Sequence, residues 1–112
     1  MKTIHLIAQA GLANRLRAWA SAEWAADTHG IDYVMTWDVE DDVMPARWDE
    51  LFTNNIPAPS ADIATRQTVR LEHPNFIDLD DPEIGAADVL ELHTYNAFST
   101  DPATTALHHR FW

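Results

Sequence analysis

Apolar positions change rhythm several times along the chain. Thr3-Ile-His-Leu-Ile-Ala8 is a short run of strand formers, and the pattern breaks at once over Gln9 to Asn14, which reads as strand followed by turn. From Ala13 to about His29 the residues are Ala, Leu, Arg, Glu and Trp without proline, and Gly30 stands where a helix C-cap glycine belongs. Leu16, Ala20 and Trp24 fall on one stripe of that helix with Leu12 and Trp19 beside it, whereas Asn14, Arg17 and Ser21 share another. The spacing predicts that the first stripe is buried and the second is polar. Asp32-Tyr-Val-Met-Thr-Trp37 is a second strand, and strand, helix and strand joined by short turns predict parallel pairing through a right-handed crossover. The expected fold class is α/β, in one domain over residues 1–112.

Asp38 to Pro45 carries four acids and ends in proline, so it is a loop leaving the C-terminal end of the second strand. Ala46 to Phe52 suits one or two helical turns with Trp48, Leu51 and Phe52 packing inward. Ile63 to Leu71 and Asn75 to Leu79 read as short strands split by His73-Pro74, Asp80 to Gly85 as loop, and Val89 to Tyr95 as a further strand. Thr100 or Asp101 is placed to cap a last helix with Pro102 in its first turn.

Charge narrows the function classes. The chain has 112 residues with 7 Lys plus Arg against 18 Asp plus Glu, a formal net charge of −11, which repels phosphate backbones and anionic lipid alike. Nucleic-acid and membrane partners are therefore not expected. The absence of cysteine removes disulfides, zinc-thiolate sites and cysteine nucleophiles, and the apolar run at residues 3–8 is too short for a secretory signal, so a cytoplasmic setting is expected.

The strongest chemical signal is Ala10-Gly-Leu-Ala-Asn-Arg-Leu-Arg17, between the first strand and the first helix. Ligands of open α/β sheets bind beyond the carboxyl ends of the strands, and a helix N-terminus offers free N–H groups and the positive end of its dipole. Gly11 lets backbone approach a ligand closely, and Arg15 or Arg17 adds charge-assisted donors for phosphate or carboxylate. The plainer alternative makes Gly11 a turn residue, Asn14 a helix cap and the arginines partners of Glu23 or Asp27. Neither G-x-G-x-x-G nor the Walker pattern is present, which argues against a dehydrogenase or a P-loop ATPase.

This segment, continued as Ala18-Trp-Ala-Ser-Ala22, resembles the G-G-L-G-N-R-L-R-A-x-A-S-A opening of the fucosyltransferase-like glycosyltransferases. That group includes the bacterial nodulation fucosyltransferase and the α1,6- and protein O-fucosyltransferases. Gly30, Trp37 and the stretch from Trp48 through Leu51-Phe-Thr-Asn-Asn-Ile-Pro57 follow in the order of that family, so the resemblance spans roughly residues 3 to 60. Ala10 and Ala13 stand where the family pattern has glycine. The resemblance implies a Rossmann-like, mostly parallel sheet like the N-terminal lobe of a GT-B glycosyltransferase, with Gly11, Asn14, Arg15 and Arg17 facing the cleft where a GDP-fucose-type nucleotide sugar meets a glycan or protein acceptor. It implies no cofactor and no metal. The arginine-bearing H-x-R-x-x-D motif of the family's second lobe has no counterpart, since His108-His-Arg110 lies in an expected helix with no aspartate after it. The expectation is therefore a truncated N-terminal lobe.

Other constellations carry less. Asp38, Glu40, Asp41 and Asp42 gather oxygen ligands without the glycine and distal glutamate of an EF-hand, and a solvated loop is the default for them. Asp38, at the C-terminal end of the second strand, is the best placed carboxylate for a catalytic base. Glu91 and His93 share one side of a strand, which permits an acid–base pair. Trp48 is the residue suited to stacking on an acceptor sugar. A rival from another class is a small acidic, non-catalytic interaction module that engages a basic partner or self-associates through its last strand and Phe111-Trp112.

Overall fold

Alternation along the strands decides which face of the sheet is core. The structure, a computed structural model, describes residues 2–101. Strands β1 (Thr3–Ala8), β2 (Asp32–Trp37), β3 (Thr68–Glu72) and β4 (Val89–Thr94) form one sheet in the order β2-β1-β4-β3, with every neighbouring pair parallel. Helix α1 (Leu12–His29) connects β1 to β2, and shorter helices α2 (Trp48–Leu51) and α3 (Pro82–Ala86) with a 3₁₀ turn at Ile63–Thr65 fill the later connections. This is an α/β fold, a Rossmann-like half in which the crossover rule for parallel strands is met by α1.

The register sets Ile4, Leu6 and Ala8 in rows with Tyr33, Met35 and Trp37 on one side, and with Leu90, Leu92 and Thr94 on the other. Ile4, Leu6, Met35, Leu90 and Leu92 are fully buried there beneath α1, Ile77, Ile84 and Phe98. The opposite face carries His5, Thr36, Arg70, Glu72, Glu91 and His93. His5 Nε2 meets Thr36 Oγ1 at 2.8 Å and His93 Nε2 meets Glu91 Oε1 at 2.5 Å. Burial pulls the His5 pKa below its ordinary value of 6.5 and the nearby Glu91 carboxylate opposes that, so folding favours the neutral ring.

Helix α1 starts at Leu12 and stops at Gly30, whose φ of 64° is the left-handed C-cap and whose N–H donates to the Ala26 carbonyl. Its buried stripe is not the expected one. Arg15, Ala18, Ser21, Ala22 and Ala25 face the sheet, whereas Leu12, Leu16 and Trp24 are 39–45% exposed. Small side chains let the helix axis lie close to the sheet, and the Ser21 hydroxyl is admitted because it accepts the buried Phe98 amide at 3.1 Å and donates to the Arg17 carbonyl.

Other expectations shift as well. The run 63–71 divides into the 3₁₀ turn and β3, and 75–79 forms no strand, its backbone making one parallel bridge from Phe76 to Ser99. The expected loop 80–85 holds α3, with Asp81 capping at the Glu83 amide and Pro82 in the first turn. Trp48 is buried and Phe52 half-buried, but Leu51 is exposed. The last strand, β4, lies between β1 and β3, so it offers no free edge for self-association; the edges are β2 and β3. The expected C-terminal helix and Phe111-Trp112 lie outside the described residues.

The packing of α1 predicts unequal costs for two changes of similar size. Ala22→Leu, forced against Leu6 and its neighbours, should destabilise by about 1–3 kcal/mol through overpacking, whereas Leu16→Ala on the exposed side should cost about 0.5 kcal/mol. Urea unfolding of the two variants checks the assignment, and a larger loss for Leu16→Ala would reverse it.

Candidate functional site

The C-terminal ends of β1 and β2 face a common mouth, and the chain's own side chains already fill part of it. After Ala8 the backbone turns through Ala10, whose φ of 67° is left-handed, and Gly11 becomes the N-cap of α1 with extended backbone and no side-chain cap. Ala10 occupies one of the positions where the resembled family has glycine, and a Cβ there is strained. Gly11 itself needs no positive φ; a Cβ on it would stand 3.4 Å from the Val43 carbonyl, so what approaches Gly11 is the acidic loop.

Arg15 is completely buried. Its Nε donates to the Ala10 carbonyl at 2.7 Å, its Nη2 to Glu40 Oε2 at 2.7 Å, and its guanidinium lies 4.8 Å from the centre of the Trp37 ring. The same Glu40 oxygen accepts the Ala10 amide at 2.9 Å. Among the described residues Nη1 has no hydrogen-bond partner. Glu40 is presented by a tight reversal in which Glu40 and Met44 exchange backbone hydrogen bonds of 2.9 and 2.7 Å. Arg15 therefore points inward rather than toward a ligand as expected from sequence, and Glu40, though half-exposed, is committed to Arg15 and the Ala10 amide rather than to solvent alone. The partner was hidden among four acids, 25 residues away in the chain.

The other expected residues lie nearer the surface. Asn14 and Arg17 are half-buried on the first turns of α1, the Arg17 guanidinium donating to the Asn14 side-chain carbonyl. Asp38 is exposed at the end of β2. It stands on the rim of a pocket of about 530 Å³ whose lining includes Trp37, Trp48, Phe52, Arg47 and Asn54. The aromatic floor is closely packed: Trp48 lies 4.3 Å from Phe52 and 5.4 Å from Trp37 between ring centres, and its indole N–H donates to the Asn54 carbonyl at 2.7 Å. Trp48 is largely buried, so it supports the pocket more than it faces it. Phe52, Arg47 and Asn54 are not among the site residues expected from sequence; Phe52 and Asn54 lie within the Leu51–Pro57 stretch that carries the family resemblance, and Arg47 is marked only by its place next to Trp48.

Glu91 and His93 do pair as their spacing permits, but on the opposite face of the sheet rather than at this mouth. Among the described residues no group of three His, Asp or Glu is arranged to hold a metal ion, and no helix is long and apolar enough to cross a membrane. No family model, curated protein or solved structure matches the chain.

Two stability predictions follow from the mouth. Glu40→Ala leaves the fully buried Arg15 guanidinium without its counter-charge and should cost about 2–3 kcal/mol, below the usual range for a broken buried pair because Glu40 is partly solvated. Arg15→Met, which leaves behind only a half-exposed carboxylate, should cost less; chemical denaturation of the two singles and the double gives the order, and equal losses would contradict it. Ala10→Gly should raise stability by about 0.5–1 kcal/mol, since relief of the left-handed strain exceeds the added freedom of the unfolded chain. The check is the shift in thermal midpoint.

Proposed function

We propose that this chain is a glycosyltransferase-like lobe of the fucosyltransferase type, handling a nucleotide sugar and a glycan or protein acceptor at the C-terminal edge of its sheet. The observation that carries this reading is the pocket at the C-terminal end of β2: Trp37, Trp48 and Phe52 form an apolar floor, and Asp38, Arg47 and Asn54 supply a polar rim. Sugars are bound by that combination, an aromatic surface for the C–H face and fixed polar groups for the hydroxyls. The pocket lies where open parallel sheets take their ligands, and the uncapped N-terminus of α1 with Asn14 and Arg17 adds donors suited to a diphosphate.

In this reading Arg15 positions the loop rather than touching the donor. Asp38 takes the proton of an acceptor hydroxyl as its oxygen attacks the anomeric carbon, while the nucleoside diphosphate departs toward the helix start. On this reading the Rossmann-like half is analogous to one lobe of a GT-B architecture, an analogy of fold alone, and a second lobe would supply the rest of the donor site.

One observation favours the rival class, an acidic interaction module without catalysis. Glu40 already takes both the Ala10 amide and the Arg15 guanidinium, two donors that an incoming anion would otherwise claim.

Titration calorimetry with GDP-fucose separates the two. On the transferase reading the protein binds the nucleotide sugar, and the double variant Asn14→Ala/Arg17→Ala weakens binding at least tenfold, about 1.4 kcal/mol, while its thermal midpoint stays within a few degrees. Absence of binding, or equal binding by the double variant, moves the interaction module into first place.

A further inference from the structure

The other end of β2 carries a feature that the proposed transferase site leaves unused. Between the outer side of α1 and the start of β2 runs an open groove of about 840 Å³, lined by Ala20, Glu23, Trp24, Asp27, Ile31 and Tyr33 among others. Trp24 is 45% exposed there, a large aromatic surface on a helix whose packed stripe is alanine. β2 is an edge strand, and the Met35 amide donates outward to the Pro57 carbonyl at 2.7 Å. Strand parity then turns the Tyr33 N–H and C=O outward as well, and among the described residues no backbone group bonds that amide across the edge. An open strand edge beside an exposed indole is the arrangement that accepts an added strand.

Charge selects the occupant. Glu23 and Asp27 are exposed on the α1 side of the groove, and the exposed Asp32 at the start of β2 lines it as well. Among the described residues no lysine or arginine lines the groove. Asp27 stands in the last turn of α1, where the negative end of the helix dipole disfavours a carboxylate and favours a cation. A second copy of this chain would bring the same carboxylates against each other and is disfavoured for that reason.

We propose that this groove binds an extended, basic polypeptide segment as an additional strand on β2. Backbone groups of the segment pair with Tyr33, and its alternate Lys or Arg side chains, which share one face of the added strand, reach Glu23, Asp27 and the face of Trp24. The partner is a protein with an exposed cationic strand or tail, and the inference stands whether or not the opposite end of the sheet handles sugars.

The test uses the whole chain and an acetylated, amidated peptide of four Lys-Val repeats, followed by calorimetry and by amide exchange at Tyr33. The Lys-Val peptide binds and slows exchange of the Tyr33 amide, a matching Glu-Val peptide does not bind, and Glu23→Gln/Asp27→Asn or Trp24→Ala weakens binding at least tenfold. Asp41→Asn/Asp42→Asn, equal in charge change but in the loop after β2, changes it less than twofold. The proposal is overturned if the Lys-Val peptide does not bind, if the loop variant loses as much as the groove variant, which would mean diffuse attraction to an acidic protein, or if Tyr33 exchange is unaffected. Dimerisation in sedimentation that Trp24→Ala abolishes would also overturn it, placing a second copy in the groove.

Discussion

A guanidinium taken fully out of water must find counter-charge and hydrogen-bond acceptors inside the fold, and Arg15 imposes that requirement on three segments at once. Its acceptors are the carbonyl of Ala10 in the β1–α1 turn and the carboxylate of Glu40 in the loop after β2, and its flat face rests on Trp37 at the end of β2. The left-handed turn at Ala10, the reversal at Glu40–Met44 and the placement of the Trp37 ring are mutually dependent through this one side chain. The aromatic pocket inherits the arrangement, because Trp37 is both the rest for Arg15 and part of the pocket floor. Whatever ligand uses the mouth meets a surface preset from inside.

Much of this architecture was legible in the sequence where local pattern and tertiary role agree. Thr3–Ala8, the α1 helix with Gly30 at its end, Asp32–Trp37 and Val89–Thr94 were readable because strand formers, a proline-free helical run and a C-cap glycine all point one way. The strand order was not readable: β3 precedes β4 in the chain yet lies outside it, and nothing local specifies which strand takes the centre. The face of α1 was misjudged because burial was assigned by side-chain size. Contact with the sheet instead selects for closeness, so Ala18, Ala22 and Ala25 go inside and Leu16 and Trp24 stay out.

The candidate site was half legible for a related reason. The segment Gly11 to Arg17 does lie at the carboxyl end of β1, as the strand–turn–helix pattern indicated. Two arginines two residues apart nevertheless have opposite fates, since a helix turns them about 200° from each other: Arg15 toward the sheet, Arg17 toward Asn14 near the surface. Sequence gives no sign of which arginine is inside until the phase of the helix against the sheet is known. That same phase error concealed Glu40, whose role exists only because Arg15 points inward.

Helix α1 also explains why the two ends of β2 differ in chemistry. At its N-terminus the positive end of the dipole and Arg15 would draw an anion, and Glu40 meets most of that demand from within the protein. At its C-terminus the opposite sign calls for a cation, yet the nearby side chains are Glu23 and Asp27, with the single basic contribution from His29. Among the described residues one end of the helix thus meets a carboxylate of opposite sign, while the other has a single histidine against two carboxylates. Among the described residues nothing cationic besides His29 answers that end of the helix beside the exposed Trp24, whereas the N-terminal end must first yield its own carboxylate.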